Sequence, residues 1–129
     1  IYGERRVVKS VLVVEDDRDG QEVIARMLFR AQISVEITGT AEDALHLLSA
    51  SDHAAVIIDL ALPGMDGFAL HQRIRADEAL KTLPCIAITA FHTPTLKQRV
   101  MQEGFDAYFA KPLDDRRFIV TVGELLGSA

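Results

Sequence analysis

Apolar periodicity along this chain switches five times between strand-length runs and helical stripes, which constrains the fold more than any other feature. Strands alternating with helices bury their apolar faces best as a parallel sheet covered on both sides. Val11 to Val14 is a continuous apolar run, as a central parallel strand requires. Val23, Ile24, Met27, Leu28 and Ala31 follow at three-to-four spacing and predict one face of a helix. Ile33 to Ile37 alternates weakly and predicts the second strand. Thr40-Ala-Glu-Asp43 has the pattern of a capping box, ahead of Ala44, Leu45, Leu47 and Leu48 on an apolar face. Ala55 to Ile58 predicts the third strand, ending in Asp59. Pro63-Gly64 and Gly67 then break the chain, and Phe68, Leu70 and Ile74 give a helix to about Asp77.

Cys85 to Ile88 predicts the fourth strand. Thr93-Pro94 reads as cap and first residue of a fourth helix, closed by Gly104. Tyr108-Phe109-Ala110 is a short fifth strand, and Asp114 caps a last helix through Phe118, Ile119, Val122, Leu125 and Leu126. The expected architecture is α/β, a doubly wound five-stranded parallel sheet with five helices and right-handed crossovers. Alternation alone leaves the strand order open.

At 129 residues, 49% hydrophobic and 26% charged, the chain has the composition of one ordered domain. Residues 1–7 read as an N-terminal tail and 8–127 as the domain. The first residue is Ile rather than Met, as expected of a piece cut from a longer chain or of a processed tag. Little sequence follows the last helix, so no DNA-binding or enzymatic output unit is expected within it. The net charge is −5, with fourteen Lys and Arg scattered among nineteen acids, which argues against a nucleic-acid surface. The densest basic pairs, Arg5-Arg6 and Arg116-Arg117, read as solvated. No apolar run approaches the roughly 18 residues that span a bilayer, and Ile1-Tyr-Gly-Glu-Arg-Arg6 lacks the apolar centre of a signal peptide, so a cytoplasmic location and no membrane contact are expected. Cys85, alone and flanked by apolar residues, reads as a core residue. His46, His53, His71 and His92 show no metal-ligand spacing and are expected at the surface.

Four fragments place polar residues directly after apolar runs: Val11-Leu-Val-Val-Glu-Asp-Asp17, Asp59-Leu-Ala-Leu-Pro-Gly-Met-Asp-Gly67, Thr89-Ala90 and Lys111-Pro112. In an open parallel sheet the carboxyl ends of neighbouring strands share one crevice, so these groups can meet there. Each has an ordinary explanation in isolation. Acids at Glu15-Asp16-Asp17 suit a helix N-terminus, Thr89 suits a strand, and Lys111 suits a solvated strand end. Asp59 changes the balance, because carboxylates facing one another repel and call for a cation. Hard oxygen ligands suit Mg²⁺, held by Asp16, Asp59 and a backbone carbonyl. The lysine suits a phosphoryl oxygen and Asp59 a covalent acceptor. The Lys111-Pro112 bond is a candidate for cis geometry.

Taken jointly, in order and at these separations, the four fragments resemble the receiver domain of the two-component response regulators, over essentially the whole chain. The resemblance implies a flavodoxin-like fold and a phosphorylation-controlled switch that takes a phosphoryl group from a phosphohistidine, on a sensor histidine kinase or a histidine phosphotransfer protein. It implies Asp59 as phosphoacceptor, Glu15 and Asp16 as the acidic metal pair with Asp16 the direct ligand, and Ala61 as the source of the carbonyl ligand. It further implies Thr89 as the switch hydroxyl, Tyr108 as the aromatic switch residue and Lys111 as the phosphoryl partner, with Mg²⁺ as cofactor and an output domain or target protein downstream. Asp17, one residue past the pair, is expected to cap the first helix. Ala61 and Phe91 stand where relatives often carry polar side chains that touch the hydrolytic water, so slow loss of the phosphoryl group is expected. Two rivals remain open: a receiver that serves only as a docking module, and an aspartyl-phosphate phosphatase. The second is disfavoured by the absence of Asp-x-Asp after the first strand and of a cap insertion.

Overall fold

In the computed structural model, described over residues 9–127, the chain runs β1 (Ser10–Val14), α1 (Arg18–Arg30), β2 (Val35–Thr38), α2 (Ala41–Ala50), β3 (His53–Asp59), α3 (Gly67–Ala76), β4 (Cys85–Thr89), α4 (Pro94–Gln102), β5 (Ala107–Ala110) and α5 (Asp115–Gly127). The expected tail, residues 1–7, lies outside the described residues. All strand pairs are parallel, in the order β2-β1-β3-β4-β5. Strand order therefore reverses beside β1, and the carboxyl ends of β1 and β3 open a crevice at that switch point.

Alternate residues of each strand feed opposite cores, as the two-residue period of a pleated strand dictates. Leu12, Val14, Val56, Ile58, Cys85 and Ala87 pack with α2, α3 and Val100 of α4 on one face. Val11, Val13, Ala55, Ile57, Ile86 and Ile88 pack with Ile24 and Leu28 of α1 and Phe118 and Val122 of α5 on the other. Every one of these strand residues is fully buried, and each Val, Leu or Ile contributes about 1.5–3 kcal/mol by leaving water. Among the described residues no helix is long and apolar enough to cross a membrane.

Helix ends fall where the cap residues put them. Asp17, Thr40, Asp66 and Thr93 each accept a backbone N–H from the first turn of α1, α2, α3 and α4, and Asp114 accepts from Arg117 N–H ahead of α5. Gly104, at φ +94°, closes α4 with paired bonds from Phe105 N–H to Val100 O and Gly104 N–H to Met101 O. The same closure ends α1 without a glycine: Gln32 takes φ +61°, and Ile33 N–H returns to Leu28 O. That turn consumes Ile33, so β2 begins at Val35 rather than Ile33. The α1 stripe is also narrower than its spacing suggests, with Val23 exposed and Ile24 and Leu28 alone fully buried. Two of the four histidines depart from expectation, because His53 opens β3 and His71 lies on the inner face of α3, both buried.

Candidate functional site

Four strand ends converge in the crevice. Asp59, the last residue of β3, is buried; its Oδ1 accepts the Ala61 N–H at 2.9 Å and its Oδ2 accepts from Lys111 Nζ at 2.9 Å. Glu15, just past β1, is wholly buried; its Oε2 also receives Lys111 Nζ at 2.5 Å and its Oε1 the Asp17 N–H at 3.1 Å. One ammonium thus bridges two carboxylates carried by different strands. Asp16 is exposed at the mouth, and one oxygen from each of Glu15, Asp16 and Asp59 lies within 4.8 Å of the others.

The backbone around these groups leaves little slack. A Cβ on Gly67 would stand 2.6 Å from the Asp59 carbonyl oxygen and 2.8 Å from Leu60 Cα, so only glycine lets α3 start against the end of β3. Gly20 makes a looser fit for α1 over the Glu15 side chain, where an added Cβ would meet Cδ at 3.0 Å and push the carboxyl by a few tenths of an ångström. Gln21 Nε2 donates to the Glu15 carbonyl at 2.6 Å and ties the acidic loop to α1. Lys111 N–H donates to Thr89 O at 2.8 Å, and the Lys111–Pro112 bond is cis, as its sequence allows.

Electrostatics follow from this crowding. Burial, with added repulsion from Asp59, pushes the Glu15 carboxyl above its ordinary range against the pull of Lys111. Burial also works against the charged Lys111, but its bonds to Glu15 and Asp59 prevail and its pKa is raised. With every group ionised, three carboxylates face one ammonium, a surplus of two negative charges in a partly dry crevice. Oxygen-only donors in that charge balance fit a small hard dication such as Mg²⁺, with room at the exposed Asp16 side. Thr89 is buried at the end of β4, and its Oγ1 accepts the Phe91 N–H at 3.1 Å. Tyr108 is half-buried on β5, with its hydroxyl 2.6 Å from His92 Nδ1.

The model of the response regulator receiver domain family matches residues 11–122, nearly the whole chain. The chain belongs to that family. It is therefore a phosphorylation-controlled switch module of two-component signalling, and the receivers of this family carry a divalent-cation site in an acidic pocket of this kind. Among relatives, the polar-differentiation response regulator DivK of Brucella ovis is 30% identical over 123 residues, covering 95% of this chain and all of DivK. Among solved structures, the signal receiver domain of a signal transduction histidine kinase from Syntrophus aciditrophicus superposes with TM-score 0.85 at 27% identity, covering 94% of this chain and 92% of that one. The receiver domain of sensor histidine kinase PA1611 from Pseudomonas aeruginosa, whose structure has a magnesium ion coordinated in the active-site cleft, gives 0.84 at 28% identity, covering 92% and 98%.

Of the seven site positions named from the sequence, Glu15, Asp16, Asp59, Ala61, Thr89 and Lys111 end or follow strands at the carboxyl side of this receiver's sheet, while Tyr108 is the second residue of β5, in register with Ala87 at the middle of β4. Sequence reasoning missed Gln21, Gly20, Gly67 and His92. The glycines left a signal in their places at helix starts, whereas His92 carried none, because its bond to Tyr108 exists only once β4 and β5 are adjacent. Cys85 is inert as expected, its thiol pushed up to about 12 by burial.

Proposed function

We propose that Asp59 is the phosphoacceptor of a two-component phosphorelay. The observation that carries this is the joint hold of Lys111 on Asp59 and Glu15, a half-buried cation at the one carboxylate that ends a central strand. In the reaction an Asp59 carboxylate oxygen attacks phosphorus in line with the bond to the donor imidazole nitrogen. The P–O bond forms and the P–N bond breaks with its electron pair on nitrogen; the donor ring, protonated beforehand on its other nitrogen, leaves as neutral imidazole, and the product on Asp59 is an acyl phosphate. The Ala61 N–H and Lys111 orient the carboxylate beforehand, and Lys111 afterwards balances a phosphoryl oxygen.

Asp16, Asp59 and the Ala61 carbonyl would hold Mg²⁺, with Glu15 acting through water, as the family resemblance implies. The bound cation supplies charge neutralisation for the transferring group. The transfer completed, the Thr89 hydroxyl moves toward the phosphoryl oxygen and the Tyr108 ring turns into the space released. This remodels the surface of α4, β5 and α5, including Leu96, Phe109 and Arg116, for an output domain or target protein; Val100, expected on that face, lies in the core beneath it. The donors that fit are a sensor histidine kinase and a histidine phosphotransfer protein. The unit that acts is residues 8–127, the setting is the cytoplasm, and its chemistry is confined to gaining and losing its own phosphoryl group. The engaged state of Asp59 and Lys111 favours this over a docking-only receiver. Incubation with acetyl phosphate and Mg²⁺ tests it: mass spectrometry should find one phosphoryl group per chain, absent in Asp59→Asn and after chelation. Equal labelling of Asp59→Asn would reject the assignment, and continuous turnover of acetyl phosphate would restore the phosphatase reading.

A further inference from the structure

Two consecutive residues of the loop between β4 and α4 each engage one of the two switch groups. Phe91 N–H donates to the buried Thr89 hydroxyl at 3.1 Å, and His92 Nδ1 lies 2.6 Å from the Tyr108 hydroxyl, the two rings tilted at 49° with centroids 5.5 Å apart. Burial raises the Tyr108 phenol above its ordinary range, so it keeps its proton; with the His92 proton on Nε2, the phenol donates to Nδ1. The helix that follows does not need this histidine for its start. Thr93 caps α4 with its own hydroxyl, on the Leu96 N–H at 3.0 Å. His92 is exposed, packs into neither core, and has the Tyr108 hydroxyl as its side-chain hydrogen-bond partner.

We propose that His92 is a positioning residue that sets the threshold of this switch: by accepting the Tyr108 hydroxyl it holds the ring toward the loop and opposes the turn inward that a phosphoryl group on Asp59 drives. The inference rests on the assignments of Asp59, Thr89 and Tyr108 above. A bond made in only one of two states biases their equilibrium by its full net worth. Linkage then requires the converse, that whatever favours the inward ring also favours phosphorylation. Adjacency of Phe91 and His92 makes the device concerted, since one loop movement releases both hydroxyls.

Four proteins decide it: His92→Ala, His92→Asn, Tyr108→Phe, and His92→Ala combined with Tyr108→Phe. Asn places an acceptor oxygen near the position of Nδ1. A neutral hydrogen bond of ordinary net strength corresponds to about a fivefold bias. Loss of His92 should therefore speed labelling by acetyl phosphate, at subsaturating donor with saturating Mg²⁺, about fivefold. His92→Asn should stay close to the unsubstituted rate, and His92→Ala should have no effect in the Tyr108→Phe background. In protein carrying ¹³C-labelled tyrosine rings, His92→Ala should move the Tyr108 resonances toward their positions with beryllofluoride, a phosphoryl mimic, before any donor is added. Unshifted resonances, an unchanged rate, or an acceleration that persists without the Tyr108 hydroxyl would overturn the proposal. A failure of the Asp59 assignment is distinguishable, because beryllofluoride would then leave the Tyr108 resonances of the unsubstituted protein unmoved.

Discussion

Strand β3 carries a buried polar side chain at each end, and the two ends are built to opposite purposes. At its start, His53 Nε2 lies 2.7 Å from Glu36 Oε1 and His53 Nδ1 lies 3.2 Å from the Ser51 carbonyl oxygen, so each ring nitrogen faces a protein oxygen and the ring reaches past β1 to β2. At its finish, Asp59 shares one ammonium with Glu15 while Asp16 waits at the mouth, and negative charge is left over. A saturated buried group braces a fold, whereas a group with surplus charge is poised to take up something else. Burial alone does not separate the two ends; the balance of partners does.

Four substitutions and a pH series test whether the two ends differ in this way. The largest effect is expected at the finish of β3, where Lys111→Met removes the shared ammonium. Two carboxylates then face each other unpaired, and labelling by acetyl phosphate should fall at least tenfold even where the fold persists. Unimpaired labelling would show that Lys111 is a brace like His53. Next in size, Asp16→Asn should weaken Mg²⁺ binding by about tenfold and Glu15→Gln less, read by titration of the thermal midpoint against Mg²⁺. The reverse order would make Glu15 the direct ligand.

At the start of the strand, His53→Leu should lower unfolding free energy by about 1–2 kcal/mol in urea and leave the labelling rate unchanged, since Glu36 is half open to water when its partner goes. A pH series separates the ends again. The folded pKa of Lys111 is raised, so its stabilising contribution is complete below its unfolded pKa and is lost as pH climbs through the folded value. Urea midpoints should fall more steeply above about pH 10.5 in the native protein than in Lys111→Met. The smallest effect concerns decay of the acyl phosphate: Ala61→Asn and Phe91→Glu should each speed hydrolysis several-fold by orienting water, which orders of about 1 kcal/mol allow. Phe91 is 72% exposed, so it screens the approach from outside rather than filling the crevice.

Much of this was legible in the sequence because strands of a covered parallel sheet are apolar throughout, and polar residues after them stand out. Val11 to Val14 followed by Glu15 and Asp16 is such a case, as is Ile58 before Asp59. Most of what escaped was set by partners distant in sequence or by backbone rather than pattern. Ile33 looked like a strand residue until Gln32 took a positive φ and used it to close α1. His71 looked like a surface histidine, yet it is stacked on Phe105 at a 3.9 Å centroid distance, with neither ring nitrogen in a well-formed hydrogen bond. Burial, with repulsion from Arg75, holds its pKa below the ordinary value, although the nearby Gly104 backbone favours the charged ring slightly. Its place three residues after Phe68 and three before Ile74 sets it on the apolar stripe of α3, the pattern that separates such a ring from one in water. Strand order was silent, because alternation counts crossovers without saying where they land.

The lysine bridge has a further consequence. Lys111 is 96 residues from Glu15 and 52 from Asp59, so the crevice is assembled from the two extremes of the domain and its middle. A chain growing from a ribosome exposes Asp59 long before β5 exists, and until then the aspartate is an ordinary acid with no oriented donor beside it. If Asp59 is the acceptor, competence arrives only with β5, and labelling doubles as a report that this strand has docked against β4.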